Sequence, residues 1–285
     1  MFNFPIGVIP ECFRCSRSEA IRKAAEMGAN GIQMCATTGE NAPENLSTEA
    51  RRELKKEVHG NGLVFSALCG DFGVGFWHKD KNPELIERSK RVIDLALDLD
   101  TNIVTTHIGV IPADKNAERY KIMQEACFEL AKYADSVDAH FAVETGPETS
   151  DVLKAFLDDL GSTGVAVNLD PANLRMITGD DPVKAVHNLK KYIVHTHAKD
   201  GNKLLDVNPE YVYGVLHPIP EEIRNMQIYE EVPLGTGSVD FAAYLKALEE
   251  IGYKGFLTIE REVGETPEKD IQIAFDFLKK TIAEN

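Results

Sequence analysis

The sequence predicts an α/β fold, a single (β/α)8 TIM barrel domain with a long connection after its seventh strand. Two observations predict it. Short runs of β-branched and apolar residues alternate with longer amphipathic stretches along almost the whole chain. Eight such pairs share 285 residues, about 36 residues for each strand and helix, and this is close to what a barrel of this kind uses.

The eight predicted strands are short and apolar on both faces, as parallel strands covered by helices must be. They span residues 6–9, 31–35, 63–68, 103–107, 141–144, 165–170, 193–197 and 256–260. A doubly wound open sheet is the competing architecture. The first strand, however, leads into PECFR and not into a glycine-rich phosphate loop, and this favours the barrel.

Amphipathic periodicity predicts a helix after each strand. The helices span residues 18–27, 48–59, 83–99, 117–134, 151–160, 182–189, 241–251 and 267–282. Ser18 and Ser150 stand where helix N-caps are expected, and Gly28 and Gly252 stand where helices commonly end. We therefore expect one domain over residues 1–285.

The connection over residues 201–237 breaks this rhythm, because no clear helix precedes Phe241. Loops of this length in compact domains are usually functional or mobile. In a barrel, this loop would lie on the face where active sites form. It is predicted to be either a lid over a pocket or a contact between subunits.

Composition narrows the classes of function. The formal charge of −15 disfavours a nucleic-acid surface, because phosphate binding needs clustered Lys and Arg. No apolar run approaches the roughly 20 residues that span a bilayer, so no membrane partner is expected. The N-terminus shows no secretory leader, and five scattered cysteines suit reduced thiols better than a disulfide framework. These features predict a cytoplasmic enzyme.

Residues of ligand type end the last four predicted strands: Glu144, Asp170, His197 and Glu260. A single acidic residue at a strand end is usually solvated or caps the next helix, and a strand histidine is usually a hydrogen-bonded core residue. Four in register are hard to attribute to chance, because carboxyl ends of barrel strands share one mouth. Three carboxylates and one imidazole suit one divalent ion, Mn²⁺, Mg²⁺, Co²⁺ or Zn²⁺.

The motifs VETG, LDPAN, HAKD, LGTGSVDF and IERE follow one another in the second half of the chain. In this order they resemble the xylose isomerase-like TIM barrel superfamily, in its sugar phosphate isomerase/epimerase family. The resemblance implies that the four strand-end residues bind the metal, and that Glu144 and Glu260 flank a small carbohydrate substrate and handle its proton. The implied reaction is isomerisation or epimerisation through a metal-stabilised enediolate.

The chain departs from the family pattern at two positions expected to bind substrate. Asn173 stands where many ketose epimerases of the group have His, and Lys203 stands where many have Arg. His107, at the end of the fourth strand, and Trp77, in the loop after the third, are further candidates for substrate contact. Glu262 shares the predicted strand face of Glu260, and the family pattern favours Glu260 as the ligand.

Other functions stay open on the same scaffold. A lyase resembling the inosose or dehydroshikimate dehydratases, or the enzymes that cleave carbon-glycosides, would use the same residues. A nuclease resembling the endonuclease IV family is disfavoured by Asn173 and by the acidic charge. A non-catalytic sugar-binding subunit is the remaining alternative. A homo-oligomer is compatible with the resemblance.

Overall fold

The computed structural model describes residues 2–284, and within them eight parallel strands close into a barrel. The barrel strands are β1 (Ile6–Val8), β2 (Gly31–Cys35), β3 (Val64–Cys69), β4 (Ile103–Thr106), β5 (His140–Glu144), β6 (Val165–Leu169), β7 (Ile193–Ala198) and β10 (Leu257–Ile259). Each barrel strand pairs with the next barrel strand along the chain, and β1 pairs with β10 to close the barrel. All eight carboxyl ends therefore lie at one mouth.

Helices surround this barrel. They are α1 (Arg17–Met27), α2 (Thr48–Gly60), α3 (Asn82–Asp98), α4 (Glu118–Ser136), α5 (Ser150–Leu160), α6 (Pro171–Asn173), α7 (Pro182–Leu189), α8 (Pro209–Val212), α9 (Phe241–Glu250) and α10 (Pro267–Glu284). Short 3₁₀ turns lie at Pro10–Phe13 and Gly39–Asn41, and α6 continues into a π-helical turn at Leu174–Thr178. Among residues 2–284, no helix is long and apolar enough to cross a membrane.

The core forms where the helices press their apolar stripes onto the barrel. Helix α5 shows the pattern clearly, since it buries Leu153, Phe156, Leu157 and Leu160 at helical spacing. Strand β6 is buried along its whole length, as the sequence VAVNL requires of a strand covered on both faces. Each fully buried side chain of this size contributes about 1.5–3 kcal/mol to folding.

All eight predicted strands and all eight predicted helices are found in the described part of the chain, with ends within two residues of the prediction. The two predicted N-caps are wrong. Ser16 caps α1 and Thr149 caps α5, because the cap is the last residue in extended conformation before the helix. The predicted end at Gly28 is confirmed, since this residue ends α1 with φ +86°.

The connection after β7 contains more structure than predicted. Strands β8 (Asp200–Lys203) and β9 (Tyr229–Val232) form an antiparallel hairpin stem, and α8 lies between them. The sequences DGNK and YEEV lack apolar alternation, and so the pattern gave no strand signal.

Asp200 ties this stem to the segment that precedes α9. Its carboxylate accepts hydrogen bonds from the backbone N–H groups of Gly235 (3.0 Å), Gly237 (2.9 Å) and Val239 (3.1 Å). A Cβ at Gly237 would lie only 2.3 Å from Asp200 Oδ1, so the close approach requires glycine. The HAKD and LGTGSVDF motifs are thus two halves of one structural contact.

We predict that Asp200→Ala lowers the free energy of unfolding by about 1–3 kcal/mol, because it leaves backbone donors without a partner. Urea denaturation followed by circular dichroism measures the change. The control is Asp206→Ala, at an exposed position in the same segment, for which we expect less than about 0.5 kcal/mol. Equal effects of the two substitutions would contradict the role of the Asp200 contact.

Candidate metal centre

The mouth of the barrel brings together the four residues predicted from the strand ends. Glu144 ends β5, Asp170 follows β6, His197 lies in β7 and Glu260 follows β10. One ligand atom from each of these residues, hereafter the four-residue cluster, lies within 4.8 Å of all the others. The cluster forms because the parallel strands deliver their carboxyl ends to the same place.

The imidazole of His197 is the centre of this arrangement. Its Nδ1 atom lies 3.2 Å from Asp170 Oδ2, 3.2 Å from Glu260 Oε2 and 3.6 Å from Glu144 Oε1. Atoms that bind one ion at about 2.1 Å are separated from each other by about 3.0–3.4 Å. The donor set and its spacing therefore fit a divalent cation.

The other nitrogen of the His197 ring orients the side chain. His197 Nε2 lies 3.1 Å from Gln33 Oε1, an acceptor that places the Nε2 proton on that side and directs the Nδ1 lone pair at the carboxylates. Burial opposes protonation of His197, but the carboxylates of Glu260, Glu144 and Asp170 raise its pKa well above the usual value. A proton and a cation thus compete for the same position.

Lys199 places a second positive charge beside the cluster. Its buried Nζ lies 2.9 Å from Glu260 Oε2 and 2.5 Å from Glu262 Oε2. Burial raises the pKa of Glu260, but Lys199 and His197 outweigh it and hold that pKa well below its usual value. Glu262 is 62% exposed and contacts Lys199 from the solvent side, so Glu260 is the carboxylate that belongs to the cluster.

Two of the predicted substrate contacts lie at the cluster. Asn173 Nδ2 donates to Glu144 Oε1 at 2.8 Å, and its backbone N–H donates to Asp170 Oδ1 at 2.8 Å. His107 lies between two carboxylates, with Nδ1 3.0 Å from Asp71 Oδ2 and Nε2 3.7 Å from Glu144 Oε1. Burial opposes the charge on His107, yet Glu144 and Asp71 raise its pKa to about 9.

The other two predicted contacts lie away from the cluster. Lys203 lies in β8, and its Nζ binds the exposed carboxylate of Asp206 at 2.6 Å. Trp77 lines a neighbouring cavity together with His107.

A cavity of about 210 Å³ opens onto the cluster. Its floor is polar and includes His107, Glu144, Lys199 and Glu260. The connection after β7 also lines this cavity, with Val212, Tyr213, Tyr229 and the acidic Glu231. A concave site with convergent polar groups and some aromatic and apolar side chains is typical of small-molecule sites.

Sequence reasoning missed Gln33 and Asn168. Asn168 Nδ2 lies 3.1 Å from His197 Nε2 and 3.3 Å from Glu144 Oε2, so it borders two members of the cluster. Both residues are polar side chains in otherwise apolar strands, GIQMC and VAVNL. A polar residue in a fully buried strand was the available signal, because it must find a partner inside the barrel.

Comparison with known proteins finds a family model and solved structures with the same barrel fold. A family model described as xylose isomerase-like TIM barrel matches residues 21–281. The crystal structure of a xylose isomerase domain protein from Planctomyces limnophilus is 25% identical, has a TM-score of 0.79 and covers 99% of both chains. The structure of the IOLI protein with a bound zinc atom is 18% identical, has a TM-score of 0.75 and covers 98% of both chains.

One curated relative carries a named activity. The inosose dehydratase of Clostridium beijerinckii is 24% identical over 156 residues, so the alignment spans 52% of this chain and 48% of that protein. Solved structures that share the fold also include a D-tagatose 3-epimerase-like protein and a probable 3-DHS dehydratase from Bacillus anthracis. The relatives therefore include epimerases and dehydratases.

We predict that the purified protein binds about one divalent ion per chain, and that Glu144→Gln and His197→Ala lose most of it. Gln33→Leu should weaken binding about 10–100-fold, because the ligand loses its orienting partner. Elemental analysis after dialysis gives the content, and the exposed Glu265→Gln is the control. A wild-type protein that binds no ion and gains no thermal stability from Mn²⁺, Co²⁺ or Zn²⁺ would contradict this prediction.

A buried carboxyl group outside the cluster gives a further prediction. Glu148 Oε2 accepts a hydrogen bond from the Ile111 N–H at 3.0 Å, and within the described residues its Oε1 has no hydrogen-bond partner. Burial raises the pKa of Glu148 from 4.5 to about 8, so the group is largely protonated at neutral pH.

Because folding raises this pKa, the protonated Glu148 favours the folded state relative to the ionised form. This contribution to the free energy of unfolding is complete below about pH 4.5 and is lost as the pH rises through about 8. A pKa that differs by one between the folded and the unfolded chain changes the free energy of unfolding by about 1.4 kcal/mol. We expect Glu148→Gln to reduce the loss of stability between pH 5 and pH 9 in urea denaturation. The exposed Glu118→Gln should retain the wild-type pH dependence, and an identical profile for both variants would be inconsistent with a buried neutral Glu148.

Proposed function

Because this chain belongs to the xylose isomerase-like TIM barrel family, we propose that it is a divalent-metal-dependent isomerase or epimerase of a sugar or sugar derivative. The four-residue cluster carries the proposal, because two of its members, Glu144 and Glu260, line a cavity. A small carbohydrate is the proposed partner, and a cytoplasmic location stays a prediction from the sequence.

We propose that the four-residue cluster holds one ion, with Mn²⁺, Mg²⁺, Co²⁺ and Zn²⁺ as candidates. Solved structures of the same fold with zinc and with magnesium support this choice of ions. When bound, such an ion supplies Lewis acidity, which polarises a substrate carbonyl and acidifies the neighbouring C–H.

Glu144 and Glu260 are the proposed proton-transfer groups. They come from β5 and β10, which are separated in the barrel by β6 and β7, and both line the cavity. Lys199 and His197 hold Glu260 in its ionised form, as a base requires. Removal of a proton by one carboxylate and its return by the other, or at a neighbouring carbon, gives an epimer or an isomer.

The connection over residues 201–237 is the proposed lid. Val212, Tyr213 and Tyr229 of this segment line the same cavity as the cluster. Glu210 forms an ion pair with Arg119 of α4, and this contact fixes α8 against the body of the barrel. Side chains that cover a cavity exclude water and strengthen the electrostatic interactions within it. An interface role for the exposed tip of this segment remains the alternative.

A lyase is the second candidate, supported by the similarity to an inosose dehydratase. Proton abstraction beside a carbonyl is the first step of either reaction. Loss of a hydroxyl or of an aglycone from the β-carbon then replaces reprotonation. The same carboxylates, Glu144 and Glu260, would act in both cases.

The proposal is tested by exchange of solvent deuterium into substrate. The metal-loaded protein is incubated in D₂O with ketoses, inososes and glycosides, and the products are followed by NMR and mass spectrometry. We expect deuterium at the carbon next to the carbonyl, with an isomer or epimer and no loss of water. Net loss of water or aglycone would support the lyase instead.

Variants make this test specific. Per bound ion, Glu144→Gln and Glu260→Gln should reduce exchange at least 100-fold, the contribution typical of a general base, while the exposed Glu265→Gln should retain wild-type exchange. A metal-loaded wild-type protein that catalyses neither exchange nor elimination with any of these compounds would overturn the catalytic proposal and favour a binding subunit.

A further inference from the structure

A second cavity adjoins the one above the four-residue cluster. It has a volume of about 250 Å³ and includes Asp71, Val74 and Trp77 in its walls. His107 and Tyr213 line both cavities. The two spaces are therefore neighbours that share two aromatic side chains.

The side chains shared by the two cavities contact groups in both of them. His107 directs Nδ1 to Asp71, which lines the second cavity, and Nε2 to Glu144, which lines the first. The ring of Tyr213 lies 6.0 Å from the His107 ring and belongs to the proposed lid. The proposed lid therefore contributes a side chain to both cavities.

Trp77 gives the second cavity a rigid aromatic surface. Added Cβ atoms at Gly75 and Gly109 would fall 1.8 Å and 2.2 Å from indole atoms, so the ring packs directly on bare backbone. An indole face accepts the apolar C–H face of a sugar ring, and the carboxylate of Asp71 accepts hydrogen bonds from hydroxyl groups. These groups are suited to a pyranose ring.

Size favours a ligand that occupies both spaces. Pockets for small molecules begin at about 300 Å³, and neither cavity reaches that volume alone. Their combined volume exceeds it. A ligand with two rings would place the reacting ring over the cluster and the other ring against Trp77.

We propose that the second cavity is a binding subsite for the second ring of a glycoside, so that the substrate is a glycoside or disaccharide. This inference rests on the proposed function, since it places the reacting ring above Glu144 and Glu260. The Trp77 subsite then contributes to affinity and to the choice of substrate, and the four-residue cluster retains the chemistry.

Trp77 is the only tryptophan of the chain, so its emission reports on the proposed subsite directly. The Mg²⁺-loaded protein is titrated with maltose, cellobiose, lactose and lactulose and with their constituent monosaccharides, and calorimetry measures the affinities in parallel. We expect at least one disaccharide to bind tenfold or more tightly than its monosaccharides and to shift the emission. Monosaccharides should leave the emission nearly unchanged.

Val74→Phe tests the location, because it fills the second cavity without touching the four-residue cluster. The variant should lose the disaccharide advantage and keep monosaccharide affinity within twofold, and Val263→Phe at an exposed position is the matched control. Equal affinities for both classes, or an unaffected Val74→Phe, would overturn the subsite and leave the proposed function standing. A protein that binds no saccharide of either class overturns the proposed function and the subsite together.

Discussion

Three carboxylates converge in the buried mouth of the barrel, and their mutual repulsion is the constraint on which the surrounding structure depends. Neighbouring positive charges and hydrogen-bond donors reduce this repulsion. His197 lies between the carboxylates, Lys199 neutralises Glu260 from the side, and the amides of Asn168 and Asn173 donate to Glu144. Every one of these groups lies on a barrel strand or just after it. The closed sheet can therefore keep mutually repelling carboxylates close together, which a flexible loop could not.

This constraint also explains why two barrel strands carry polar residues in their interior. Gln33 and Asn168 interrupt apolar strands, where an unpaired amide would cost about 1–3 kcal/mol. Gln33 Oε1 faces His197 Nε2 and so fixes the direction of the other ring nitrogen. Asn168 donates to Glu144 and lies 2.9 Å from His195 Nδ1 through its Oδ1. Fold stability and site geometry are therefore coupled, because the hydrogen bonds made at the site offset the cost of burying these polar groups.

The barrel and its strand-end cluster were predictable from the sequence because periodicity sets the elements and parallel topology brings their ends together. Other features depend on contacts between distant parts of the chain. Gln33 contacts His197 across 164 residues, and Lys203 follows a hairpin stem whose strands have no apolar alternation. Trp77 packs on two loop glycines, so its place beside His107 follows from backbone geometry that no local pattern encodes.

The Asp200 contact fixes the base of the connection after β7, and the ion pair of Glu210 with Arg119 holds α8 separately. Backbone amides of residues 235, 237 and 239 converge on one carboxylate, so the ends of the chain between Lys203 and Tyr229 are fixed independently of what lies between them. Doubling the length of such a loop costs only about 0.6 kcal/mol of closure entropy. Evolution or an engineer can therefore replace the residues of this segment that line the cavity while the barrel strands keep their register.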